Sequence, residues 1–266
     1  MLPVFFGDPA ESLYGVYHPP DRPTAKPAGV VLCQPAFHES VNSHRAMRAL
    51  AEQFGRAGVH TLRFDYRGTG DSAGESGDWD VERCTADIGT AMDEIKASRG
   101  LTSVGLVGLR LGASLAARTA ARRGGVPFVV LWEPIVEGGS YLQELRDLQK
   151  RWVDFEVELR PGARKLATER EVLGHPLSEN LAASLSSVDL RTGPGRVADR
   201  ILIVDEGACS HIDELEQSLA KAGPRVERRR VEGGRIWNRE TDGDQARVPR
   251  AVLEEIVDWV AREARP

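Results

Sequence analysis

The residue in the most unusual setting of this sequence is Arg110, which stands at the centre of the run Gly108-Leu109-Arg110-Leu111-Gly112. An apolar, strand-like stretch precedes the run, and an alanine-rich, helix-like stretch follows it. We therefore expect Arg110 at a sharp turn from strand to helix, where the glycines let the two elements cross closely. A side chain there offers five N–H donors and a permanent positive charge.

A positive charge at this turn needs an anion beside it. The helix that begins at Leu111 carries partial positive charge at its first turn, and an unpaired, partly buried charge is costly. We predict that Arg110 pairs with at least one of three acids that follow neighbouring strands, namely Glu39, Glu133 and Asp205. Two roles stay open. Arg110 forms a structural salt bridge that fills the site, or it binds the carboxylate or phosphate of a small ligand at the base of a pocket.

Other residues with acid, base or nucleophilic chemistry lie near the ends of predicted strands. His38 precedes Glu39 in the loop after the third strand; it is a candidate general acid or base, or else it hydrogen-bonds to backbone. Cys209 and His211 offer a thiol and a base, although side chains two positions apart rarely face each other. The candidate ligand-contacting residues around the turn at Arg110 are Arg110 itself, Leu109, Leu111, Phe37, Trp132 and Trp237.

The elements that must position these residues alternate between strands and helices. Apolar or alternating runs predict strands, two of them within 3–18 and the others at 29–36, 59–65, 127–134, 200–207 and 225–233. Apolar positions at helical spacing predict helices at 43–57, 80–98, 210–222 and 249–264. Residues 103–125 predict a strand, the sharp turn and a helix in one piece. This alternation favours an α/β fold with about eight mostly parallel strands and helices on both faces of the sheet.

One stretch, 137–195, breaks the alternation. It contains helix-like segments at 140–159, 163–173 and 178–187, and no strand between them. Ligands in sheets of this kind bind beyond the carboxyl ends of the strands. We therefore expect 137–195 to form a helical lid over the site, within a single domain that spans 1–266.

Two segments resemble the α/β-hydrolases. HTLRFDYRGTGDSAGE (60–75) is similar to the strand and loop that precede the second helix of that fold, and GLVGLRLGASLAA (105–117) is similar to its G-x-S-x-G nucleophile elbow. The resemblance implies a catalytic serine at position 110, where this chain has arginine. It also implies a histidine near 233–238, yet no histidine follows His211. Hydrolysis by a serine triad is therefore not expected, because arginine has no lone pair to offer as nucleophile.

Four details resemble the hydrolase-like proteins associated with the exosortase A system. These are the P-x-x-x-E pattern of Pro35 and Glu39, the elbow GLRLGA, LWEPIVEG after it, and GGRIWNRE near the end. The resemblance implies an α/β-hydrolase fold, an arginine elbow and a cytoplasmic protein. It does not imply that this chain serves an exosortase.

Composition excludes several classes of function. The chain of 266 residues has a formal net charge of -5 and a sequence pI of about 5.8, which disfavours nucleic acid and anionic membranes as partners. The basic run Arg228–Arg230 lies among acids and is typical of a solvated strand edge. No apolar run reaches the roughly 18 residues of a membrane span. Three widely spaced cysteines predict neither disulfides nor a zinc site, which favours the cytoplasm.

Two functional hypotheses follow. The first is an enzyme that acts on a small acyl, ester or carboxylate-bearing compound without a serine nucleophile. Its candidate catalytic residues are Arg110, His38, Glu39, Glu133 and Asp205. The alternative is a non-catalytic ligand-binding or accessory protein that keeps the fold and the pocket. We expect a small-molecule ligand, no cofactor and no metal, and a homodimer stays open.

Overall fold

The computed structural model describes residues 1–22, 28–159, 170–192, 195–207, 210–233, 235–237 and 248–264. Its centre is a mostly parallel sheet of eight strands in the order β1-β2-β4-β3-β5-β6-β9-β10. The strands of this sheet are β1 Leu2–Phe6, β2 Leu13–His18, β3 Ala28–Cys33, β4 His60–Phe64, β5 Ser103–Leu109, β6 Phe128–Trp132, β9 Arg200–Asp205 and β10 Arg225–Arg230. Strand β2 runs antiparallel to both of its neighbours, β1 and β4, and the other neighbouring strands of this sheet pair in parallel. A separate hairpin contains β7 Glu171–Val172 and β8 His175–Pro176.

Helices cover both faces of the sheet. They are α1 Phe37–Arg56, α2 Val81–Arg99, α3 Leu111–Arg123, α4 Gly138–Leu159, α5 Glu179–Ser186, α6 Ser210–Lys221 and α7 Arg250–Glu263. Alternate residues of β3 face opposite layers, as strand geometry requires. Val30 belongs to the apolar core that contains α1 and α7, and Val31 belongs to the core that contains α2 and α3.

The register of the central strands brings the candidate residues to one edge of the sheet. Cys33 of β3 pairs with Gly108 of β5, and Leu109 of β5 pairs with Trp132 of β6. The segments that follow β3, β5 and β6 therefore begin side by side at the carboxyl edge of the sheet. This confirms the sequence-based expectation that Glu39 and Glu133 follow the two neighbours of the elbow strand.

Helix α1 begins earlier than the sequence predicted. It starts at Phe37 rather than at 43, so His38 and Glu39 lie in its first turn and not in a loop. The apolar pattern is hidden there because Glu39 and Ser43 are polar residues on the buried face of the helix. An acid in the first turn also stabilises a helix by offsetting its terminal positive charge.

The segment between β6 and β9 contains a hairpin that the sequence analysis missed. The prediction of no strand in 137–195 was wrong, because Glu171–Val172 pairs with His175–Pro176. Leu173 and Gly174 connect the two strands with φ angles of 48° and 82°, which suits a tight hairpin turn. Strand β7 falls where a helix over 163–173 was predicted; residues 163–169 lie outside the described residues. The helices expected at 140–159 and 178–187 are α4 and α5.

Within the described ranges, the structure contains no helix both long enough and apolar enough to cross a membrane.

The turn from β5 to α3 depends on a very close crossing of backbones. A Cβ atom at Gly112 would lie 2.2 Å from the carbonyl oxygen of Cys33 and 2.4 Å from that of Gln34. A Cβ atom at Gly108 would lie 2.4 Å from the Cα atom of Ala113. Because these neighbours are backbone atoms, they cannot give way without moving helix α3 relative to β3.

We expect Gly112→Ala to lower the free energy of unfolding by roughly 1–3 kcal/mol, the usual cost of forcing extra volume into a packed site. Urea denaturation measures the change. Gly139→Ala in α4 is the matched control, since no atom lies within 4 Å of the added Cβ. That control should be neutral or slightly stabilising. Equal denaturation midpoints for wild type and Gly112→Ala would contradict the close crossing.

Candidate functional site

The elbow holds Arg110 in a strained backbone conformation. Its φ is 54° and its ψ is -124°, a region that side-chain-bearing residues rarely adopt and that costs on the order of 1–3 kcal/mol. Backbone bonds hold it in place. Its N–H donates to the carbonyl of Trp132 at 2.9 Å, and its carbonyl accepts from the N–H of Ala113 at 3.0 Å. The fold thus presents a guanidinium where β5 turns into α3.

Of the three acids predicted as possible partners of Arg110, Glu39 forms the ion pair. Nε of Arg110 donates to Oε1 of Glu39 at 2.9 Å, and the two side chains are only 10% and 2% exposed. The other oxygen of Glu39 accepts a hydrogen bond from the Tyr141 hydroxyl at 3.0 Å. Both carboxylate oxygens of a nearly inaccessible acid are therefore satisfied by protein groups.

A second carboxylate closes the site from helix α4. Nη2 of Arg110 lies 2.9 Å from each oxygen of Glu144, whose side chain is 54% exposed. The guanidinium thus bridges a buried acid of α1 and a half-solvated acid of α4. With both carboxylates ionised, this group of three side chains carries one net negative charge.

Two aromatic rings cover the faces of the guanidinium. Its central carbon lies 4.8 Å from the ring centroid of Trp237 and 5.5 Å from that of Tyr141, within cation–π range. Trp237 was expected to contact a ligand, and the structure packs it against Arg110 instead. The carbonyl of Trp237 also accepts a hydrogen bond from Asn42 at 2.7 Å, which ties it to α1.

The electrostatics of the pair follow from burial and mutual attraction. Burial raises the pKa of the Glu39 carboxyl, while Arg110 and the Tyr141 hydroxyl oppose that shift. Burial alone would lower the pKa of Arg110, but Glu39 and Glu144 raise it above the ordinary value for arginine. Arg110 is therefore charged at every accessible pH, and it stabilises the ionised form of Glu39.

The other two candidate acids form different contacts. Glu133 has a φ of 45° and accepts a hydrogen bond from the N–H of Glu206 at 2.9 Å; burial raises the pKa of its carboxyl. Asp205 accepts two hydrogen bonds from Arg228, at 2.8 Å and 2.6 Å. The Arg228 side chain is 7% exposed, so the expectation of a solvated basic run was wrong at this residue.

The remaining candidates separate into core, surface and undescribed positions. Leu109, Leu111 and Trp132 are buried in the apolar cores rather than at a cavity wall. His38 is half-buried in the first turn of α1, and His211 lies in α6. Cys209, Gly234 and Asn238 lie outside the described residues. No group of three or more histidine, cysteine, aspartate or glutamate side chains in the described ranges is placed to hold a metal ion.

A cavity of about 670 Å³ opens beside the ion pair, at the carboxyl ends of β3 and β4. Its wall includes Phe37, Ser40, His44, Asp65, Trp79 and His175. Of the expected ligand-contacting residues, Phe37 is on this wall. Arg110 is not, so the expectation that it forms the base of the pocket does not match the structure.

Residues 23–187, more than half of the chain, match the family model described as serine aminopeptidase, S33. The chain belongs to this family. No curated protein is significantly similar to it in sequence.

Solved structures share the fold of this S33-family chain at low sequence identity. Est1E from Butyrivibrio proteoclasticus, with bound ferulic acid, is 15% identical over 98% of each chain, with a TM-score of 0.72. Proline iminopeptidase from Mycobacterium smegmatis is 11% identical over 99% of each chain, with a TM-score of 0.65. The Pyrococcus furiosus esterase is 15% identical over 98% of this chain and 88% of its own, with a TM-score of 0.64. Such likeness shows the α/β-hydrolase fold alone.

Sequence reasoning missed two residues of this site, Tyr141 and Glu144. They lie three positions apart on α4, and that spacing puts both on one face of the helix. The pattern is too common to single them out before the path of α4 over the elbow is known. Asp65 and His175 were also not singled out as cavity residues. Asp65 directly follows β4, and His175 belongs to the unexpected hairpin.

We expect Arg110→Ala to lower the free energy of unfolding by about 3–5 kcal/mol at pH 8, because it leaves Glu39 buried without its cation. The loss should be smaller at pH 5. In the variant nothing cationic opposes the burial-raised pKa of Glu39, so the folded form takes up a proton as the pH falls and regains stability. Chemical denaturation at both pH values measures this difference.

Arg122→Ala is the control for that measurement. Arg122 lies in α3, the helix that follows Arg110, and the substitution removes its solvent-exposed ion pair with Glu82 of α2. Its cost should be about 0–1 kcal/mol at either pH. An Arg110→Ala variant as stable as the control would show that the buried pair does not stabilise the fold. Equal destabilisation at pH 5 and pH 8 would show that the loss does not come from a charged Glu39.

Proposed function

We propose that this protein is a non-catalytic member of its family, which keeps the hydrolase fold and binds a small molecule in the cavity beside the elbow. One observation carries the proposal. The position of the nucleophile is occupied by Arg110, which forms ion pairs with Glu39 and Glu144 and lies within cation–π range of Tyr141 and Trp237. The elbow is therefore filled by the protein's own side chains.

The chemistry of the filled elbow supports a structural role over catalysis. A ligand carboxylate at the guanidinium would compete with Glu39 and Glu144, which already accept hydrogen bonds from it. The nearest serine along the chain, Ser114, is fully buried and donates to the carbonyl of Ile135 at 2.6 Å. The last histidine of the sequence, His211, lies in α6 rather than after the last strand.

The resemblance of four segments to exosortase A-associated hydrolase-like proteins agrees with this proposal. That resemblance includes an arginine elbow and the loss of the terminal histidine. It supports a protein that evolved away from ester or peptide hydrolysis, and it names no partner for this chain.

A second candidate is an enzyme that acts by acid/base catalysis on a small acyl, ester or carboxylate-bearing compound. The observation in its favour is that Asp65 and His44 line the same cavity. Burial raises the pKa of the Asp65 carboxyl and lowers the pKa of the His44 imidazole. The two pKa values thus move toward each other, which favours proton transfer between such groups.

We expect the protein to remain unlabelled by a fluorophosphonate probe, because that reagent needs a serine activated by a neighbouring base. Intact-mass spectrometry after incubation measures labelling, with an active serine esterase as the positive control. Stoichiometric modification of any serine, located by peptide mapping, would overturn the proposal of a non-catalytic protein.

We expect Arg110→Ser to lack esterase activity even though it restores a hydroxyl at the elbow. The sequence has no histidine after the last strand to activate that serine, and Glu39 loses its partner. The double variant Arg110→Ser/Glu39→Gln is the better test, because it removes the buried charge together with the cation. Turnover of p-nitrophenyl acetate is measured after circular dichroism has verified folding.

Turnover by either variant well above that of wild type would identify a base that the proposal overlooks, and His38 would be the first residue to replace. Ester turnover by the wild-type protein, in the absence of fluorophosphonate labelling, would favour the second candidate.

A further inference from the structure

The cavity at the ends of β3 and β4 is lined by residues other than Arg110 and Glu39. Its wall comes from the first turns of α1, from the glycine-rich loop after β4, and from the hairpin of β7 and β8. The Glu39–Arg110 pair lies outside this wall. Any ligand of the cavity is therefore recognised by residues that have no part in the elbow.

Several aromatic side chains line this cavity. Phe37 lies 5.6 Å from Trp79 and 5.9 Å from His175 between ring centroids, with interplanar angles of 54° and 67°. Tyr66 lies 6.3 Å from Trp79 at 84°. These neighbouring rings are steeply tilted relative to one another rather than stacked in parallel. Flat apolar groups and cations are the ligands that aromatic faces attract.

Among the described residues, the charged side chains of this cavity wall are one carboxylate, Asp65, and one exposed cation, Arg45. Asp65 accepts from the N–H of Asp71 at 3.2 Å and from Nε2 of Gln34 at 3.4 Å, both longer than an ordinary charged hydrogen bond. Gly70 packs so closely that a Cβ there would lie 2.0 Å from Oδ2 of Asp65. The loop thus holds the carboxylate in place while leaving it weakly bonded.

Asp65 also lacks a cationic partner in contact. Across the part of the chain that the structure describes, its carboxylate forms no ion pair within 4.0 Å. Burial raises the pKa of Asp65 and has the larger effect, while the nearby cation Arg63, whose Nε donates to His18 at 3.2 Å, lowers it. His44 is held neutral at ordinary pH, since burial and Arg63 lower the pKa of its imidazole. A half-buried carboxylate without a cation is an energetically costly arrangement unless a ligand supplies one.

We infer that this cavity binds a small organic amine, whose protonated nitrogen pairs with Asp65 and whose apolar body lies among Phe37, Tyr66 and Trp79. The inference rests on the proposed function, since it gives a ligand class to the binding cavity. A volume of about 670 Å³ suits a molecule of this kind, and small-molecule sites commonly combine apolar walls with a few polar groups. A charged amine gains both from the carboxylate and from the aromatic faces.

The test compares three probes of nearly equal size by isothermal titration calorimetry. These are 2-phenylethylamine, which is cationic, 2-phenylethanol, which is neutral, and 3-phenylpropanoate, which is anionic. We expect the amine to bind, the alcohol to bind at least tenfold more weakly, and the carboxylate to give no measurable binding.

Two variants locate the interaction. Asp65→Asn should weaken amine binding at least tenfold. Asp71→Asn removes the same charge from the same loop, but at an exposed side chain outside the cavity wall, and should keep the wild-type affinity. In the wild-type protein, the indole N–H resonance of Trp79 should shift as amine is added, which tests the site without any substitution at Asp65. Trp79→Phe assigns that resonance.

Absence of amine binding to the wild-type protein would overturn the inference. So would tighter binding of 3-phenylpropanoate, an Asp65→Asn variant with unchanged affinity, or an unshifted Trp79 signal. These readouts are independent of ester turnover. Hydrolysis with intact amine binding would refute the non-catalytic function alone, and loss of amine binding without hydrolysis would refute this inference alone.

Discussion

The ion pair between Arg110 and Glu39 is the interaction around which the carboxyl edge of the sheet is organised. Its guanidinium comes from the β5–α3 turn, and its nearly inaccessible carboxylate comes from the first turn of α1. Helix α4 joins through Tyr141 and Glu144, and the segment before α7 joins through Trp237. Four parts of the chain that are distant in sequence thus meet at a single cation. Their contacts offset the cost of removing the guanidinium from water.

The elbow geometry explains why the cation is there at all. The close crossing at Gly108 and Gly112 fixes the backbone, and the positive φ of Arg110 points its side chain away from the sheet. In a hydrolase this strain serves to present a nucleophile. In this chain the same strain positions a guanidinium so that Glu39 reaches it in a geometry that two neighbouring strands dictate.

Much of this arrangement was predictable from local patterns, and the exceptions have physical causes. The strands, the elbow and the need for a carboxylate follow from apolar runs, glycine spacing and the cost of a buried charge. Local patterns do not predict that Arg110 pairs with Glu39 rather than with Asp205, because Asp205 forms its ion pair with Arg228 of the edge strand. The early start of α1 was hidden because a buried acid interrupts the apolar pattern. The contacts of Tyr141 and Glu144 could not be predicted either. The amphipathic pattern of α4 indicates a helix but not where that helix packs.

The buried carboxylate of Glu39 also has a consequence for how this site can change over evolutionary time. A reversion of Arg110 to serine would leave Glu39 charged inside the protein, and a change at Glu39 alone would leave the arginine unpaired. Each single step therefore passes through a destabilised protein, and a working triad needs a histidine as well. Selection for stability alone would therefore tend to preserve the pair of Arg110 and Glu39, whatever the activity of the protein.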